Sequence, residues 1–258
     1  MLQYPLEKFT NMPQKCDLYN LDCLEFLKKI PDNSVDLVLT DPPYLISRKT
    51  GFLASKGEKT IERFKMSYEF GEWDEKQLDL KSILSEIHRI LKPTGTSIIF
   101  YDLWKIQELK EEYEANKFKQ IRFLEWVKTN PVPINSKINY LTNSREIALT
   151  AIKGAKPTFH SEYDKGIYEF AICHERDRFH PTQKPLNLLQ ALINKHSNEG
   201  DLVLDCFAGS ASCAVACHNT GRNFIGCELD ETYFTKATER IQKLNDKSTD
   251  VSSSGTTK

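Results

Sequence analysis

The chain has 258 residues, of which 40% are hydrophobic and 28% are charged, and its 35 basic and 36 acidic side chains give a formal net charge of -1. This composition predicts a globular protein with a substantial core and excludes a uniformly basic nucleic-acid binder. No apolar run approaches the roughly 18 residues that cross a membrane, and the N-terminal residues lack the features of a signal peptide. We therefore expect a cytoplasmic protein with no membrane partner.

The cysteines argue against both a disulfide framework and a metal centre. The chain has seven, an odd number, at scattered spacings and with no Cys-x-x-Cys pair. Disulfide frameworks and zinc sites show paired, regular spacings instead. We expect the cysteines to be core residues or to line a ligand site, and we expect no bound metal.

Along the chain, short apolar runs alternate with longer amphipathic segments, which is the pattern of βα units around a mostly parallel sheet. Strands are predicted at Cys16–Tyr19, Val35–Thr40, Ser97–Tyr101, Glu146–Ile152, Leu202–Asp205 and Asn223–Glu228. Helices are predicted at Asp22–Lys29, Gln77–Leu91, Ala211–His218 and Glu231–Leu244. Trp104 and Trp126 are expected in the core, and the small polar residues 245–258 are expected to form a disordered tail.

Two irregular segments, residues 45–75 and residues 130–180, interrupt this pattern. Long loops in compact domains usually serve a function or are disordered. Both segments carry basic clusters, because residues 45–66 hold six Lys or Arg and residues 128–156 hold five. These clusters suggest a side that faces a polyanion. Lysine-rich loops are equally common on ordinary solvated surfaces, so charge alone does not separate the two interpretations.

The segment Asp205–Ser210 has the form of a nucleoside-cofactor site. It follows a buried strand and precedes a helix of small residues, so a ligand can approach the backbone at a helix N-terminus. Nineteen residues after Gly209, the next strand ends in Glu228, where an acidic group can bind ribose hydroxyls. Ala211 stands where a further glycine is common, so an ordinary turn between strand and helix is the alternative interpretation.

The segment Asp41–Tyr44, with the sequence Asp-Pro-Pro-Tyr, directly follows the predicted strand Val35–Thr40. Two consecutive prolines fix φ and remove two backbone donors, so the Asp41 carboxylate and the Pro42 carbonyl are held as rigid acceptors. Tyr44 adds an aromatic face. Two acceptors and a flat ring suit a planar base with an exocyclic amine. The alternative is a rigid loop whose aspartate caps a helix.

Asp41 and Asp205 are 164 residues apart, but each comes at the end of a predicted buried strand. In a doubly wound sheet, ligands bind at the carboxyl edge, where the strand order reverses. If the two strands are neighbours at that reversal, Asp41 faces the substrate and Asp205 faces the cofactor. The sequence therefore predicts a doubly wound α/β fold with one site made from two remote segments.

Taken together, these motifs resemble those of the S-adenosylmethionine-dependent DNA amino-methyltransferases of the permuted β class, in which the catalytic motif precedes the cofactor motif. The resemblance covers about residues 16–244 and extends to His180–Leu189 and Trp126–Pro133. It implies a single catalytic domain over residues 1–244, with a circularly permuted Rossmann-like methyltransferase fold and a mostly parallel seven-stranded sheet. It also implies S-adenosylmethionine as the cofactor and double-stranded DNA as the partner.

The resemblance assigns roles to particular residues. The implied catalytic residues are Asp41, Pro42, Pro43 and Tyr44. The implied cofactor-binding residues are Asp22, Cys23, Asp41, Thr182, Lys184, Asp205, Phe207, Gly209, Ser210 and Glu228. The implied DNA-binding residues are Arg48, Lys49, Lys56, Lys59, Arg63, Lys137 and Arg145. Thr182 or Lys184 would bind the carboxylate of the cofactor, although Lys184 is equally compatible with a surface position. Residues 151–179 would form a short target-recognition region, helped by the basic loop 45–75.

Asp41 favours adenine as the target, because N4-cytosine members of the family more often carry Ser at that position. The methyl group would go to the exocyclic N6 amine of a base flipped out of the duplex. Cys206 and Ala211 replace the usual Pro and Gly of the cofactor motif. Methylation of the N4 amine of cytosine and, because of Ala211, a non-catalytic DNA-binding subunit are the alternatives. The family further implies a restriction-modification system, a cognate restriction endonuclease and a homodimer.

Overall fold

The computed structural model describes residues 15–43, 78–131, 141–173, 178–180 and 182–253, and the structural statements below concern those residues. The strands are β1 (Cys16–Asn20), β2 (Val35–Thr40), β3 (Leu91–Tyr101), β4 (Lys119–Lys128), β5 (Arg145–Ile152), β6 (Ile167–Phe170), β7 (Leu202–Asp205) and β8 (Asn223–Glu228). The helices are α1 (Cys23–Leu27), α2 (Leu80–Ile90), α3 (Ile106–Ala115), α4 (Leu186–His196), α5 (Ser212–Asn219) and α6 (Glu231–Ser253), and a 3-10 turn spans Leu103–Lys105.

The strands of the described residues form one eight-stranded sheet in the order β1-β8-β7-β2-β3-β5-β4-β6. Neighbours are parallel except at β5, which is antiparallel to both β3 and β4. The chain passes from β2 to β3 in one direction and from β7 to β8 in the other, so the strand order reverses between β2 and β7. The predicted doubly wound, mostly parallel sheet is confirmed. The predicted number of seven strands is wrong by one, because the short β6 adds an edge strand beside β4.

Helices cover both faces of the sheet and enclose two cores. On one face, α1, α2 and α3 pack through side chains such as Phe26 and Leu84. On the other face, α4, α5 and α6 pack through side chains such as Leu192. Because side chains alternate along a strand, β2 directs Val38 into the first core and Leu37 into the second. Burial on both faces explains why Val35–Thr40 is mostly apolar, with Asp36 as the one residue that is not fully buried.

Helix α2 illustrates how the local sequence sets the bounds of an element. The side chain of Asp79 caps its first turn by accepting from the Ser82 N–H at 3.1 Å, and Ile83 and Ile87 form part of its buried face. The first residues of β3, Leu91–Gly95, include Pro93, which cannot continue a helix. The chain therefore turns directly into β3, which leads to the edge of the sheet where the candidate site lies.

The place of Trp104 and the structure of the C-terminal residues differ from the sequence predictions. Trp104 is 89% exposed, not in the core, because it lies in the short 3-10 turn after β3. Trp126 is buried on β4, as predicted. Helix α6 continues to Ser253, past the end predicted at Leu244. Residues 231–254 contain neither proline nor glycine, so no helix-breaking residue ends it earlier. The disordered tail predicted from residue 245 is therefore replaced by helix up to Ser253, and residues 254–258 lie outside the described part.

All seven cysteines are thiols that form no disulfide, and six of them are buried, which confirms their predicted place in the core. Within the described ranges, no helix is long and apolar enough to cross a membrane. The same ranges contain no group of three or more His, Cys, Asp or Glu side chains placed to hold a metal ion.

Candidate active site

The functional side chains collect at one edge of the sheet, which we call the carboxyl edge. Seven of the described strands run parallel and end there, while β5 runs the opposite way and begins there. The edge therefore gathers the residues at the ends of β2, β7 and β8 and the first residues of β5. Asp41, Glu146, Asp205 and Glu228 consequently lie together despite their distance in the sequence.

The tips of β2 and β7 are adjacent, as the sequence predicted. Leu37 pairs with Val203 in a parallel register, so the two strands are direct neighbours. At their ends, the Thr40 hydroxyl donates to Asp205 Oδ1 at 2.7 Å. Asp41 follows Thr40 directly, so the two aspartates predicted for substrate and cofactor lie on either side of one crevice.

Asp205 is a buried carboxyl at the reversal point of the sheet. Besides the Thr40 hydroxyl, it accepts the backbone N–H of Phe207 at 3.0 Å. Burial raises the pKa of Asp205 to about 7, since the two hydrogen bonds only partly offset it and the carboxylates of Asp41 and Glu228 add to it. A cationic ligand beside this group would favour its ionised form.

The turn between β7 and α5 is shaped to bring a ligand against the backbone. Gly209 has φ +50° and donates its N–H to Glu228 Oε2 at 2.7 Å. A Cβ at this position would lie 3.3 Å from His180 Nε2, so only glycine leaves the space open. Ala211, which directly precedes α5, also adopts a left-handed conformation, with φ +56°. This explains why glycine is the usual residue there.

Glu228 links three of the strand tips. Its second carboxylate oxygen accepts the Asp230 N–H at 2.9 Å, and Asn20 at the end of β1 donates to the Glu228 carbonyl at 2.8 Å. Burial raises the pKa of Glu228, although hydrogen bonds from the Asp230 and Gly209 backbones oppose the rise. A carboxylate with several acceptor positions can hold these amides and still bind a diol.

Asp22 and Cys23, two of the residues predicted to bind the cofactor, follow the end of β1, which pairs with Glu228. Asp22 follows β1 and caps α1, since its Oδ1 accepts the N–H groups of Leu24 at 2.9 Å and Glu25 at 3.2 Å. Cys23 is buried, and its pKa is raised by an interaction with the Cys206 side chain and by burial. Cys23 thus presents an uncharged thiol near the carboxyl edge.

The segment before α4 forms the opposite wall of the crevice. The Thr182 hydroxyl lies 3.2 Å from His180 Nδ1, and the imidazole packs edge-on against Tyr233 with ring centroids 4.5 Å apart. Burial, together with the charges of Lys184 and Arg178, lowers the pKa of His180 to about 4. His180 is therefore neutral at physiological pH.

Lys184 is buried, although a surface position was one of its two interpretations. Its ammonium contacts Asp41 Oδ2 and lies 3.0 Å from Glu146 Oε2. Glu146 in turn forms an ion pair with Lys128 at 2.7 Å. Neither Glu146 nor Lys128 was predicted as a site residue. The sequence could not reveal them, because which end of β5 reaches the carboxyl edge depends on its antiparallel pairing with β3 and β4.

These elements enclose an open cleft of about 460 Å³, a volume that includes solvent at its mouth. The cleft is lined by Leu39, Thr40, Asp41, Phe100, His180, Thr182, Gln183, Lys184, Leu189, Asp205, Phe207, Ala208, Gly209, Ser210, Ser212 and Cys213. Of the predicted cofactor-binding residues, seven are therefore brought to one cavity. Asp22, Cys23 and Glu228 lie at the same edge but outside the lining of this cleft.

Most of the predicted DNA-binding residues fall on segments outside the described residues, as does Tyr44 of the catalytic motif. These residues are Arg48, Lys49, Lys56, Lys59, Arg63 and Lys137. Arg145 is described: its side chain is 66% exposed and its guanidinium lies 3.1 Å from Glu125 Oε1. It is the first residue of β5 and thus belongs to the carboxyl edge.

The basic stretch 128–156 does not form one face. Lys128 joins the ion pairs of the site, whereas Lys153 reaches the opposite edge, where its ammonium donates to Asn33 Oδ1 at 2.8 Å. The predicted target-recognition region is divided in the same way. Its first part lies at that opposite edge, since the Thr158 N–H donates to the carbonyl of Thr94 in β3 at 3.1 Å. Only from β6 onward does the region return toward Asp41.

Comparison with known proteins identifies relatives of this chain. The family model described as DNA methylase matches residues 35–239. The type II methyltransferase M2.DpnII of Streptococcus pneumoniae is 31% identical over 253 residues, which cover 90% of this chain and 91% of that protein. The type II methyltransferase M.HinfI of Haemophilus influenzae is 28% identical, over 89% of this chain and 69% of its own length.

Solved structures show the same architecture. The complex of M1.HpyAVI with S-adenosylmethionine superposes with a TM-score of 0.66 and 27% sequence identity, over 88% of this chain and 98% of that one. The cytosine-N4-specific PvuII DNA methyltransferase gives a TM-score of 0.69 at 18% identity, which shows a shared fold alone. The chain belongs to the DNA methylase family and is an S-adenosylmethionine-dependent DNA amino-methyltransferase.

The residues present fit this cofactor. Its sulfonium cation suits a crevice that holds the carboxylates of Asp205 and Asp41, and its ribose diol suits Glu228. Gly209 lines the cleft, and because a Cβ there would press against the His180 ring, glycine is the residue that lets a ligand approach the backbone of the turn. When bound, S-adenosylmethionine supplies an electrophilic methyl group.

Proposed function

We propose that this enzyme methylates the N6 amine of adenine in double-stranded DNA. The observation that carries the proposal is the meeting of the Asp41 loop with the Asp205 turn at one crevice between β2 and β7. Asp205 and its turn serve the cofactor, and Asp41 serves the base. Aspartate at position 41 favours adenine over cytosine within this family.

The amine of adenine is a weak nucleophile, because its lone pair is conjugated into the ring. Hydrogen bonds from the amine to the Asp41 carboxylate and the Pro42 carbonyl favour a pyramidal nitrogen. They also stabilise the positive charge that develops on that nitrogen during transfer. Holding both reactants in one cleft lowers the barrier further, by up to about 7–11 kcal/mol in the best-oriented cases. The reaction needs no covalent intermediate, and the sequence contains no Pro-Cys pair of the kind that carbon methylation uses.

A base inside a duplex cannot reach this crevice, so we propose that the target adenine is flipped out and stacks on Tyr44. The DNA then lies along the carboxyl edge. Arg145 is exposed at that edge, and we propose that it contacts a phosphate. The basic loop 45–75 follows the catalytic motif directly and would add further phosphate contacts. We assign target recognition to residues 167–179, because residues 151–166 begin at the far edge.

We further propose that the enzyme is the modification component of a restriction-modification system, with a cognate restriction endonuclease that cuts the same unmethylated site. The names of the type II methyltransferases from Streptococcus pneumoniae and Haemophilus influenzae support this role. Because its proposed substrate is cellular DNA, we propose that the enzyme acts in the cytoplasm, and we propose a homodimer as its working form.

The substrate is tested by incubating the protein with unmethylated DNA and S-adenosylmethionine, and then digesting the DNA to nucleosides for mass spectrometry. We expect N6-methyladenine with the wild-type enzyme and none with Asp41→Ala. N4-methylcytosine as the product would contradict the assignment of the base while leaving the methyltransferase intact. Absence of product together with absence of S-adenosylmethionine binding by calorimetry would instead identify a non-catalytic subunit.

A further inference from the structure

Four charged side chains of alternating sign form a continuous row that ends at the catalytic carboxylate. We call it the charge row: Lys128, Glu146, Lys184 and Asp41. Lys128 Nζ lies 2.7 Å from Glu146 Oε1, and Lys184 Nζ lies 3.0 Å from Glu146 Oε2 while also contacting Asp41 Oδ2. The members come from β4, β5, the segment before α4 and the loop after β2, so tertiary structure alone assembles the row.

Lys184 is the most enclosed member of the row. Its side chain is only 8% exposed, and its ammonium lies 4.8 Å from the centroid of the Phe100 ring. Burial by itself would lower the pKa of Lys184, but the carboxylates of Asp41 and Glu146 outweigh burial and raise the pKa. The ammonium therefore stays charged and is held between two carboxylates and an aromatic face.

Glu146 is held in a corresponding way. Burial alone would raise the pKa of Glu146, but the ammonium groups of Lys184 and Lys128 outweigh burial and lower it. Each carboxylate oxygen of Glu146 takes one ammonium. This fixes the carboxylate plane and so the position of Lys184. Removing one charge from such a partly buried arrangement leaves its neighbour uncompensated, which is costly.

We infer that Lys184 is a positioning residue for Asp41, and that Glu146 positions Lys184. By binding Oδ2 of Asp41, Lys184 fixes the plane of the carboxylate and hence the direction of the lone pairs that accept the amine of the base. The row also carries two positive and two negative charges, so it is neutral as a whole. With Glu146 neutralised, the row would be positive next to a nitrogen that itself becomes positive during transfer.

This inference rests on methyl transfer to an exocyclic amine, but not on which base carries that amine. It differs from the role that the sequence resemblance gave Lys184, which was binding the carboxylate of the cofactor. The two roles predict different kinetics. A positioning residue changes kcat and leaves the affinity for S-adenosylmethionine nearly unchanged, whereas a cofactor ligand changes that affinity.

The test compares Lys184→Gln, Lys184→Arg and Glu146→Gln with the wild-type enzyme. Single-turnover rates of methyl transfer and the Kd for S-adenosylmethionine, by calorimetry, are measured on each. We expect Lys184→Gln to lower the transfer rate by about 100-fold, the effect of misplacing a reacting group by about 1 Å, with the Kd within about threefold. Glu146→Gln should lower the rate in the same way, by about tenfold, and Lys184→Arg should restore part of the loss.

Lys195→Gln is the matched control. Lys195 lies near the other end of α4, forms an ion pair with Asp164 and lies 4.5 Å from the centroid of the Tyr168 ring. Like Lys184, it combines a carboxylate partner with an aromatic ring, but it is more exposed and lies away from the crevice. We expect this variant to keep the wild-type transfer rate, which separates positioning of Asp41 from general loss of an ion pair.

An unchanged transfer rate in Lys184→Gln would overturn the inference, and so would a loss confined to the Kd for S-adenosylmethionine. If Lys184→Gln fails to fold, Glu146→Gln decides, because it keeps the lysine and the shape of the glutamate. A folded Glu146→Gln enzyme with wild-type rates would then refute the role of the row. If the wild-type product proves to be N4-methylcytosine, the same rates are measured on cytosine. The role of the charge row is then tested independently of the assignment to adenine.

Discussion

Among single residues, Asp205 combines structural and functional demands most directly. It accepts hydrogen bonds from Thr40 and the Phe207 backbone while it is buried at the reversal point of the sheet. Burial raises its pKa to about 7, whereas in the unfolded chain an aspartate titrates near its ordinary value of about 3.9. The native state therefore binds this proton more tightly than the unfolded state does.

The first prediction follows from that difference. The stability contributed by protonated Asp205 is complete at pH values below about 4 and is lost as the pH rises through about 7. Asp205→Asn abolishes this titration, so its free energy of unfolding relative to wild type should rise by about 1–3 kcal/mol between pH 5 and pH 8. Urea unfolding of both proteins at the two pH values measures the difference. A constant difference would show that Asp205 does not titrate in this range.

The second prediction concerns Gly209. Alanine there must adopt a left-handed conformation and also place its Cβ 3.3 Å from His180 Nε2. We expect Gly209→Ala to weaken S-adenosylmethionine binding by at least about tenfold, equal to about 1.4 kcal/mol. Gly200→Ala is the matched control, because Gly200 also has a positive φ of +84° but a Cβ added there would meet nothing within 4 Å. Equal cofactor affinities in the two variants, measured by calorimetry, would contradict a role for this turn.

At the scale of elements, the bulge at the start of β3 shows how packing stabilises the edge of the sheet opposite the carboxyl edge. Val35 pairs with Leu91 and Leu37 pairs with Thr96, so the intervening residues of β3 protrude from the ladder. The turn after β5 packs against this protrusion. A Cβ on Gly154 would lie only 2.1 Å from the Pro93 carbonyl oxygen, a separation that no rearrangement of side chains alone can relieve.

The third prediction is that Gly154→Ala destabilises the protein by about 2–3 kcal/mol, in the range of substitutions that force a backbone shift. Because this turn lies at the edge opposite Asp41, kcat measured well below the melting temperature should stay at the wild-type value. Thermal unfolding and steady-state kinetics on one preparation test both parts. An unchanged melting temperature would show that the two segments do not lock together.

The strands whose bounds the sequence predicted correctly are those buried on both faces. β2, β7 and β8 are mostly apolar, with residues such as Val38 and Phe224 fully buried, and their predicted bounds are confirmed. β4 was not predicted as a strand, because exposed charged residues and an exposed Phe123 break its alternation. α3 was missed because only Leu109 and Tyr113 are buried among its many charged residues.

The site was predictable to the same limited extent. Asp41, Asp205 and Glu228 follow or end strands that the sequence reveals, so their meeting at the carboxyl edge could be predicted from the reversal rule. Glu146 could not be found this way. Because β5 is antiparallel to its neighbours, its first residues, and not its last, lie at the carboxyl edge. The sequence contains no local signal for the direction of β5, which depends on pairing with β3 and β4.

At the scale of the whole molecule, the carboxyl edge concentrates the chemistry and the opposite edge carries stabilising contacts. The charge row and the cleft lie at the first edge, while contacts of Lys153 and the turn at Gly154 stabilise the second. This polarity predicts that DNA approaches from one side only. Substitution of an exposed basic residue should therefore weaken DNA binding at the carboxyl edge but not at the opposite edge.

The fourth prediction tests this polarity. Arg145→Ala should weaken binding to duplex DNA and lower the slope of log affinity against log salt concentration by about 0.9, the value for one lost phosphate contact. Arg122→Ala is the control, because Arg122 is an exposed arginine in the neighbouring strand β4, toward the other edge. Fluorescence anisotropy at several salt concentrations measures both. Equal slopes for the two variants would argue against DNA binding at the carboxyl edge.

The central claim is that two remote strand ends build one site, in which Asp41 acts on the base while the Asp205 turn holds the cofactor. Its most direct test measures cofactor binding and methyl transfer on the same sample of Asp41→Ala. The account predicts a transfer rate at least about 100-fold below wild type, as for the loss of a charge-stabilising group at a reaction centre, with S-adenosylmethionine still bound within about tenfold of the wild-type affinity. Methyl transfer by Asp41→Ala at the wild-type rate would contradict it.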